Sequence, residues 1–394
     1  MENPVLVAGA RTPIGRFQGA LSPLSATQTG AVVVREAVRR AGVKPGDIQE
    51  AILGNVLQAG LGQNPARAAA LGGGLPDTVP AVTINKVCGS ALKAVMLAAQ
   101  AIKAGDRDLV VAGGMESMTN APHMLLGSRS GIRLGDGKLV DHMVHDGLWD
   151  HYNQFHMGET GEIVAERFHV HRADADRLAA RSHGRALAAQ QAGRFDAEIV
   201  PVSIPQRKGA PLVVRLDEGI RPDTTEAGLA NLKPSFRADG QVTAGNSSQI
   251  SDGAAAVVVA SAAYARTHGL PILAEIEGYD ASGTKPEWVM EAPIASVRNL
   301  LARTGRSVAD IDLFEHNEAF ASASCAVQKD LKIPDDRFNV NGGAVALGHP
   351  IGASGTRVLL TLTHELKRRG GGRGVATLCL GGGNAVSMQV RVPK

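Results

Sequence analysis

The sequence repeats a pattern of residues between its two ends, and this duplication limits the folds open to the chain. Segment 31–48 aligns with segment 294–311 at an offset of 263 residues. Six of the 18 aligned positions are identical: Val34/Val297, Arg35/Arg298, Arg40/Arg303, Gly42/Gly305, Asp47/Asp310 and Ile48/Ile311. Within a few residues, the same offset pairs 4–6 with 271–273, 51–55 with 313–317, 88–90 with 349–354, and 109–114 with 375–382. We therefore predict two related halves.

Each half is expected to run strand, helix, strand, helix, strand. Residues 32–40 place apolar side chains at helical spacing and end in basic residues before Gly42, which is a typical helix end. Apolar runs predict the next elements, namely helices at 91–103 and 356–369 and buried strands at 109–112 and 375–378. A helix that is apolar nearly all round must be buried between layers. We therefore predict an α/β fold in which helices lie between two sheets.

The segment between the halves, roughly 119–244, has a different character. It is rich in His, Asp and Arg, and it contains one clear helical pattern at 173–192. A strand pattern resumes at 252–260. The predicted division is residues 1–118 plus 245–270 for the amino-terminal half, 119–244 for an inserted loop domain, and 271–394 for the carboxy-terminal half.

Composition excludes several classes of function. A net charge of +3 and an aromatic content of 3% argue against a nucleic-acid binder. Three cysteines form no disulfide framework and have no zinc-site spacing, so we expect no metal and a reducing compartment. No apolar run reaches about 18 residues and the first residues do not read as a signal peptide, so we expect a cytoplasmic protein without membrane contact.

Cys88 is the first candidate catalytic residue. It follows a strand-like run at 81–84 and precedes a helix that starts near Gly89. The positive end of a helix dipole favours the thiolate, and glycine allows a substrate to approach the backbone closely. A free cysteine is also commonly a small buried apolar side chain. The position in a turn favours the nucleophile.

His349 is the second candidate. Pro350 restrains its backbone, and the flanking glycines of GHPIG predict a tight loop. A lone histidine is usually structural or solvated. The duplication, however, places His349 at a helix start equivalent to that of Cys88, where it can act as the base for the thiol.

Cys379 and its surroundings supply a second thiol. Cys379 ends a predicted buried strand, where α/β folds form their usual crevice, and the Gly381 N–H is free to face an oxyanion. Asn317 follows another strand, where it either caps the next helix or orients a water molecule at the site. Cys325 lies in an Ala/Ser-rich helical run, and we expect it to be a packed core residue.

These motifs resemble the thiolases, which are acyl-CoA C-acyltransferases. The resemblance runs nearly end to end, and its motifs occur in the family's order. They are RTPIG at 11–15, NKVCGS at 85–90, GGMESM at 113–118, HMG at 156–158, AGNSS at 244–248, NEAF at 317–320, NVNGGA at 339–344, GHPIG at 348–352 and CLG at 379–381. The resemblance implies a five-layer αβαβα thiolase fold with an inserted loop domain.

The resemblance also implies a ping-pong Claisen condensation of two acetyl-CoA to acetoacetyl-CoA plus CoA, or its thiolytic reverse. Cys88 would carry the acetyl group, His349 would take the Cys88 proton, and Cys379 would remove the α-proton of the second thioester. The acyl oxygen would lie between the Cys88 and Gly381 N–H groups, and the enolate oxygen near His349 and a water held by Asn317. No metal or prosthetic group is implied, because the thioester itself acidifies the α-carbon.

Residues that contact coenzyme A are also implied by the resemblance. Arg221 matches a phosphate contact, Ser248 a contact of the pantetheine arm, and His156 and Met157 the wall of the acyl pocket. The remaining implied contacts are Leu148, Phe236, Ala244, Ala319 and Phe320. Two departures from the family pattern concern the coenzyme A channel: Glu291-Ala292 precede Pro293-Ile294 where Gly-x-Gly is frequent, and Gly228 replaces a serine.

Several alternatives stay open at this point. A broad-chain 3-ketoacyl-CoA thiolase of fatty-acid β-oxidation is the near rival of the short-chain type, and a non-catalytic CoA-binding scaffold is the rival from another class. A ketoacyl synthase would carry His or Asn where Cys379 stands. A homodimer and a homotetramer are both compatible with the sequence. Two thiols in one pocket further suggest that mild oxidation joins Cys88 to Cys379, if their Cα atoms lie within about 7 Å.

Overall fold

The computed structural model describes residues 3–394. The strands are β1 (Pro4–Arg11), β2 (Gly15–Arg16), β3 (Glu50–Gly54), β4 (Ala81–Ile84), β5 (Leu109–Ser117), β6 (His123–Leu125), β7 (Leu139–Asp141), β8 (Trp149–Asp150), β9 (Phe155–His156), β10 (Val202–Ile204), β11 (Leu212–Val214), β12 (Ser251–Ser261), β13 (Ala274–Gly283), β14 (Leu313–His316), β15 (Gly372–Leu380) and β16 (Asn384–Val392). The α-helices are α1 (Ala26–Ala41), α2 (Pro65–Gly72), α3 (Ser90–Ala104), α4 (Met157–Phe168), α5 (Arg172–Gln191), α6 (Glu226–Ala230), α7 (Ala262–Thr267), α8 (Ala292–Thr304), α9 (Ala321–Leu331), α10 (Ala344–Leu347) and α11 (Ser354–Arg368).

The predicted duplication is visible in the strand order. In the amino-terminal half the order is β4-β3-β5-β12-β1, and in the carboxy-terminal half it is β14-β15-β16-β13. The pairs β3/β5 and β14/β15 are parallel. The next pair in each half, β5/β12 and β15/β16, is antiparallel. A parallel bridge between Phe314 and Phe338 stands where the amino-terminal half has β4. The two half-sheets meet where β1 pairs with β13 through Val5↔Glu275 and Leu6↔Ala274.

The helices form three layers around the two half-sheets, which confirms the predicted five-layer arrangement. The central hydrophobic core joins α3, α11 and the facing sides of both half-sheets. A second core packs α1 and α2 against the outer side of the amino-terminal half, and a third packs α8 and α9 against that of the carboxy-terminal half. Both central helices are largely buried; α3 is apolar nearly all round, whereas α11 also buries polar side chains such as Arg357 and Glu365.

Helix ends repeat between the halves as the sequence predicted. Gly42 and Gly305 end α1 and α8 in the left-handed conformation, at φ 71° and φ 65°. Glycine adopts this conformation without steric cost, which explains its recurrence at both positions. The predicted strand opening at 271–273 is displaced, since β13 begins at Ala274.

The region between β5 and β12 holds short hairpins and helices. The helix predicted at 173–192 is present as α5. Helix α4 was not predicted, because its two glycines, Gly158 and Gly161, weaken the helical pattern. Helices α4 and α5 both pack on α9, so this region lies over the carboxy-terminal half. The predicted division of the chain into domains stays a prediction.

One helical segment, Val87–Ala104, is apolar enough to be compared with a membrane span, with a mean hydropathy of 1.3. No such run was expected from the sequence. The segment coincides with α3, which packs between the two half-sheets in the central core. A core helix of a folded domain has this composition, so the segment carries no argument for a membrane.

Candidate active site

The three groups predicted to be catalytic lie around one cavity. Cys88, His349 and Cys379 all line a space of about 200 Å³, together with Gly381. They come from the loop before α3, the loop before α11 and the carboxyl end of β15. The cavity is largely apolar in its lining, which matches sites that bind small organic groups and exclude water.

The Cys88 loop is a tight turn held by hydrogen bonds. Ser90 Oγ accepts from the N–H of Lys86 at 2.8 Å and donates to the carbonyl oxygen of Val87 at 2.6 Å. Val87 adopts φ 47°, which is unusual for a β-branched residue and costs about 1–3 kcal/mol. Strain of this kind persists only where surrounding contacts impose the conformation. Here the hydrogen bonds of Ser90 hold the turn that precedes Cys88.

The His349 loop fixes the tautomer of the imidazole. Ser354 Oγ donates to the carbonyl oxygen of Pro350 at 2.9 Å, so it accepts from Nδ1–H of His349 at 2.6 Å. The proton is therefore on Nδ1, and Nε2 carries the free lone pair. Asn317 Nδ2 lies 3.3 Å from that Nε2 and donates to it. His349 is thus arranged as a proton acceptor at Nε2.

Asn317 does not cap the helix that follows it. The residue before α9 is Phe320, and no side chain caps that helix end. The Asn317 side chain is fully buried, its amide points to His349, and its Oδ1 has no partner among residues 3–394. The capping role considered for Asn317 is therefore absent, and its role in orienting a water molecule stays a prediction.

Cys379 lies at the penultimate position of β15, with 2% of its surface exposed. Its Sγ is 3.6 Å from Sδ of Met290. Burial, and next the neighbouring Cys88, raise the pKa of Cys379 far above the ordinary value of a thiol. Cys379 is therefore a protonated thiol in the free site. All three cysteines are free.

Burial also dominates the electrostatics of Cys88. It raises the pKa of the Cys88 thiol to about 12, although the N–H groups of Gly381 and of Cys88 itself lower it. Desolvation therefore outweighs the effect of the α3 dipole on the pKa of Cys88. Burial, and secondarily the Arg357 cation, lower the pKa of His349 to about 3. The resting pair is a neutral thiol and a neutral imidazole.

The structure refines how the two loops correspond. Helix α3 begins at Ser90 and α11 at Ser354, an offset of 264 residues. At this offset Cys88 corresponds to Gly352, and His349 corresponds to Asn85. The two loops are equivalent, but the two catalytic candidates occupy different positions within them.

Most of the predicted substrate contacts also line the cavity: Leu148, His156, Met157, Phe236, Ser248, Ala319 and Phe320. His156 caps α4 by accepting from the Gly158 N–H at 3.1 Å, and its ring stacks on Phe236 with centroids 4.9 Å apart. Arg221 and Ala244 are exposed and lie outside the lining.

Other residues of the lining were not predicted from the sequence: Val87, Met118, Gly147, Ser247, Gln249, Ile250, Val289, Met290 and Ile351. Most are apolar residues on loops, and nothing in their local sequence distinguishes them from core residues. Val87 and Ile351 could have been found from their positions beside the two motifs. The others become neighbours only through the fold.

Glu116 supports the site by holding the loop that contains His349. Its carboxylate accepts hydrogen bonds from the N–H groups of Val56, Leu57 and Gly352 and from Asn55 Nδ2, at 2.7–3.1 Å. Burial raises the pKa of Glu116 to about 7, against the effect of these hydrogen bonds. Glu116 ties the ends of β3 and β5 to the His349 loop. Among residues 3–394 there is no group of three or more His, Cys, Asp or Glu that could hold a metal ion.

A duplicated α/β fold with two thiols and a neutral imidazole around an apolar cavity defines a class of enzymes, those that transfer acyl groups through a cysteine. The chain belongs to the thiolase family. Its residues 4–263 match the thiolase amino-terminal domain, and residues 270–392 match the thiolase carboxy-terminal domain.

Individual relatives cover almost the whole chain. The acetyl-CoA acetyltransferase of Cupriavidus necator is 53% identical over 390 residues, which are 99% of both chains. A probable acetyl-CoA acyltransferase of Staphylococcus epidermidis is 50% identical over 390 residues, again 99% of both chains. The crystal structure of the Bacillus anthracis acetyl-CoA acetyltransferase superposes with a TM-score of 0.97 at 43% identity, covering 100% of this chain and 99% of that chain.

Proposed function

We propose that this protein is an acetyl-CoA acetyltransferase that condenses two acetyl-CoA to acetoacetyl-CoA plus CoA, reversibly. The observation that carries the proposal is the meeting of Cys88, His349 and Cys379 around a cavity of about 200 Å³. A space of this size suits a two-carbon acyl group beside a thioester. The relatives named acetyl-CoA acetyltransferase support the same activity.

In the first half-reaction Cys88 attacks the thioester carbon of acetyl-CoA. The bond from Cys88 sulfur to carbon forms first and gives a tetrahedral oxyanion, which collapses as the bond from carbon to CoA sulfur breaks. The Cys88 proton moves to His349 Nε2 and then to the departing CoA sulfur. Because the thiol is neutral at rest, proton removal accompanies the attack. The N–H groups of Gly381 and Cys88 lie beside the Cys88 sulfur, and they would receive the oxyanion, where one such donor is typically worth about 10²–10³ in rate.

In the second half-reaction Cys379 removes the α-proton of a second acetyl-CoA. Cys379 must first lose its own proton, and we assign the acceptance of that proton to His349. The carbanion forms the carbon–carbon bond at the acetyl carbon, and the departing Cys88 sulfur takes the proton back from His349. In thiolysis Cys379 donates the proton, a role that suits a thiol with a raised pKa. Asn317 beside His349 would orient a water toward the enolate oxygen.

Coenzyme A needs contacts for its phosphates and its pantetheine arm. We propose that Arg221 meets a phosphate, since it is exposed and its guanidinium forms no ion pair within residues 3–394. Ser248 lines the cavity and would meet the pantetheine arm, and Ala244 would lie along the same path at the surface. No further cofactor enters the reaction. We propose a cytoplasmic homotetramer or homodimer.

Mass spectrometry after incubation with acetyl-CoA tests the nucleophile. We expect an added acetyl group on the peptide that contains Cys88 and none in the Cys88→Ala variant. An acetyl group at another residue, with Cys88 unmodified, would overturn the assignment.

The broad-chain thiolase remains the second candidate, because the Staphylococcus relatives are named probable acetyl-CoA acyltransferases. Thiolysis rates on acetoacetyl-CoA and on a long-chain 3-ketoacyl-CoA, measured side by side, separate the two. Comparable rates on both would contradict the short-chain proposal.

A further inference from the structure

Gln249 lines the active-site cavity, and its side chain contacts two segments that are distant from each other in sequence. Its Nε2 donates to the carbonyl oxygen of Gly219 at 2.8 Å. It also donates to the carbonyl oxygens of Val345 and Ala346, at 3.1 Å and 3.2 Å. All three partners are acceptors, so only the nitrogen of the amide can face them. One side-chain amide therefore joins the chain at Gly219 to helix α10.

The α10 side of this contact leads directly to the catalytic histidine. Gly348 follows the last residue of α10, and His349 comes next. The His349 N–H donates to the carbonyl oxygen of Gln249 itself at 3.1 Å. Gln249 therefore contacts the His349 loop through its backbone and the helix before that loop through its side chain.

The other side of the contact, residues 219–221, carries the arginine proposed to meet a phosphate of coenzyme A. Gly219 is buried, whereas Arg221 is exposed. A Cβ on Gly219 would lie 2.6 Å from a carbonyl oxygen of α10 and 3.0 Å from Nε2 of Gln249. The chain is therefore packed directly against α10 and Gln249 at Gly219, two residues before the exposed Arg221.

Coenzyme A would have to reach both segments at once. In the proposed complex Arg221 meets a phosphate, while the thioester at the other end of the same molecule lies beside Cys88 and His349. Ordering a mobile segment during binding costs affinity, so such a ligand binds more tightly when the spacing of the two contacts is already set. The hydrogen bonds of Gln249 connect the two segments whose spacing matters.

We propose that Gln249 is a positioning residue for coenzyme A. Its amide holds residues 219–221 against α10, and this fixes the distance between the phosphate contact and the His349 loop before the substrate binds. The inference rests on the proposed function, and within it on Arg221 as the phosphate contact. The Gln249 side chain should therefore matter only for thioesters that carry the phosphates.

The experiment compares two thioesters on the full-length protein. Acetyl-CoA carries the phosphates, and S-acetylpantetheine has the same thioester and the same arm without them. Gln249→Met removes the hydrogen-bond donor at similar length, and Gln249→Glu keeps the shape but turns an acceptor toward three carbonyl oxygens. Gln206→Met is the matched control, since Nε2 of Gln206 donates to a carbonyl oxygen of its own segment, that of Ile204, at 3.3 Å.

Rapid quench and mass spectrometry give the rate of Cys88 acetylation as a function of thioester concentration. Circular dichroism and thermal melting establish that each variant is folded. In Gln249→Met, the concentration of acetyl-CoA at half-maximal rate should rise about fivefold, which is the size of about one lost hydrogen bond. The maximal rate with acetyl-CoA, and both values with S-acetylpantetheine, should stay within about twofold of the parent.

Gln249→Glu should show the same selectivity for acetyl-CoA with a larger effect, and it decides the point if the methionine variant does not fold. Gln206→Met should match the parent on both thioesters. Arg221→Ala should raise the half-maximal concentration of acetyl-CoA about tenfold in the parent, because a charged contact is lost. In the Gln249→Met background it should add only about twofold, since two residues that act through one contact are not additive.

Equal losses on the two thioesters would overturn the inference, because Gln249 would then act on the cavity or on the His349 loop alone. Additive effects of the Gln249 and Arg221 substitutions would overturn it as well. Failure of the proposed function gives a different result. In that case the parent itself would form no acetyl group on Cys88 with either thioester.

Discussion

The loop before α3 and the loop before α11 occupy equivalent places in the two halves, yet they present different chemistry. Each helix begins with a serine, Ser90 or Ser354, whose hydroxyl donates to a carbonyl oxygen of its own loop. In the amino-terminal half the serine oxygen accepts from a backbone N–H, and in the carboxy-terminal half it accepts from the imidazole of His349. The same serine hydrogen bonds therefore hold a backbone turn in one half and the His349 imidazole in the other.

Each half carries one of the two catalytic candidates and a different residue at the position of the other. Gly352 stands at the position that corresponds to Cys88, and a Cβ there would lie 2.6 Å from Oε2 of Glu116. Asn85 stands at the position of His349, where its Oδ1 accepts from the Val87 N–H at 2.9 Å. The two loops therefore share a backbone geometry, and one carries the thiol while the other carries the imidazole.

The asymmetry also appears at the ends of β3 and β14. Asn55 follows β3, and its Nδ2 donates to Glu116 at 2.7 Å. Asn317 follows β14, and its Nδ2 donates to His349. Two asparagines in equivalent places therefore differ in their contacts: Asn55 binds a supporting carboxylate, and Asn317 binds the imidazole of the site.

The largest effect is expected when the nucleophile is removed from the amino-terminal loop. Cys88→Ala should lower turnover by about 10⁴-fold or more, because no other group can carry the acetyl intermediate. Cys379→Ser should still be acetylated on Cys88 but fail to condense. Rapid-quench mass spectrometry with acetyl-CoA separates these outcomes. Loss of acetylation in Cys379→Ser would show that the second thiol acts in both half-reactions, against the division of roles proposed for the two cysteines.

The two serines give a matched pair. Ser354→Ala should slow acetylation about 10–100-fold with little change in KM, because the imidazole loses the acceptor that fixes its tautomer. Ser90→Ala should lower the free energy of unfolding by about 1 kcal/mol, because a partly buried backbone N–H loses its partner. Stopped-flow kinetics measures the acetylation rate of each variant, and denaturant unfolding measures its free energy of unfolding. If both variants slowed acetylation equally, Ser354 and Ser90 would not have the separate roles assigned to them, catalytic support and structural support.

The reactivity of Cys88 at alkaline pH should report on the ionisation of its thiol. Because burial raises the pKa of the Cys88 thiol to about 12, its thiolate fraction should still be rising at pH 9. We expect the rate of Cys88 alkylation by iodoacetamide to rise about tenfold per pH unit between pH 7 and 9. The measurement uses the Cys325→Ser, Cys379→Ser background, in which Cys88 is the only cysteine. A plateau at neutral pH would mean that Cys88 is a thiolate in the free site.

The smallest effect concerns the residue before each helix, Gly89 and its counterpart Ala353. A Cβ at Gly89 would lie 1.9 Å from Cδ2 of Leu380, so Gly89→Ala should destabilise the protein by about 1–3 kcal/mol. Ala353→Gly removes a buried methyl group at the N-cap of α11 and should cost about 0.8 kcal/mol.

Gly184, inside α5 with open space around its Cα, is the control for these glycine and alanine exchanges. Gly184→Ala should stabilise the protein by about 0.5–1 kcal/mol. Denaturant unfolding followed by circular dichroism orders the three variants. Tolerance of alanine at Gly89 would show that the nucleophile loop is looser than the structure indicates.

The sequence by itself determined the architecture. A constant offset between the ends of the chain, apolar helices at 91–103 and 356–369, and glycines at helix ends predicted the two halves and the buried central helices. These features are local or periodic, and hydrophobic burial converts them directly into layers. The motif residues also predicted which side chains meet at the site, since strand ends and helix starts gather at one edge of an α/β fold.

Only the tertiary structure decided the electrostatics and the supporting contacts. Whether Cys88 is a thiol or a thiolate depends on the balance between burial and the helix dipole, and burial is set by side chains distant in sequence. The tautomer of His349, the hydrogen bonds of Glu116 and the burial of Arg357 likewise depend on residues that are distant in sequence. Hydrogen bonds and desolvation depend on the atoms that surround each group. Those atoms come together only when the two halves pack around the central helices.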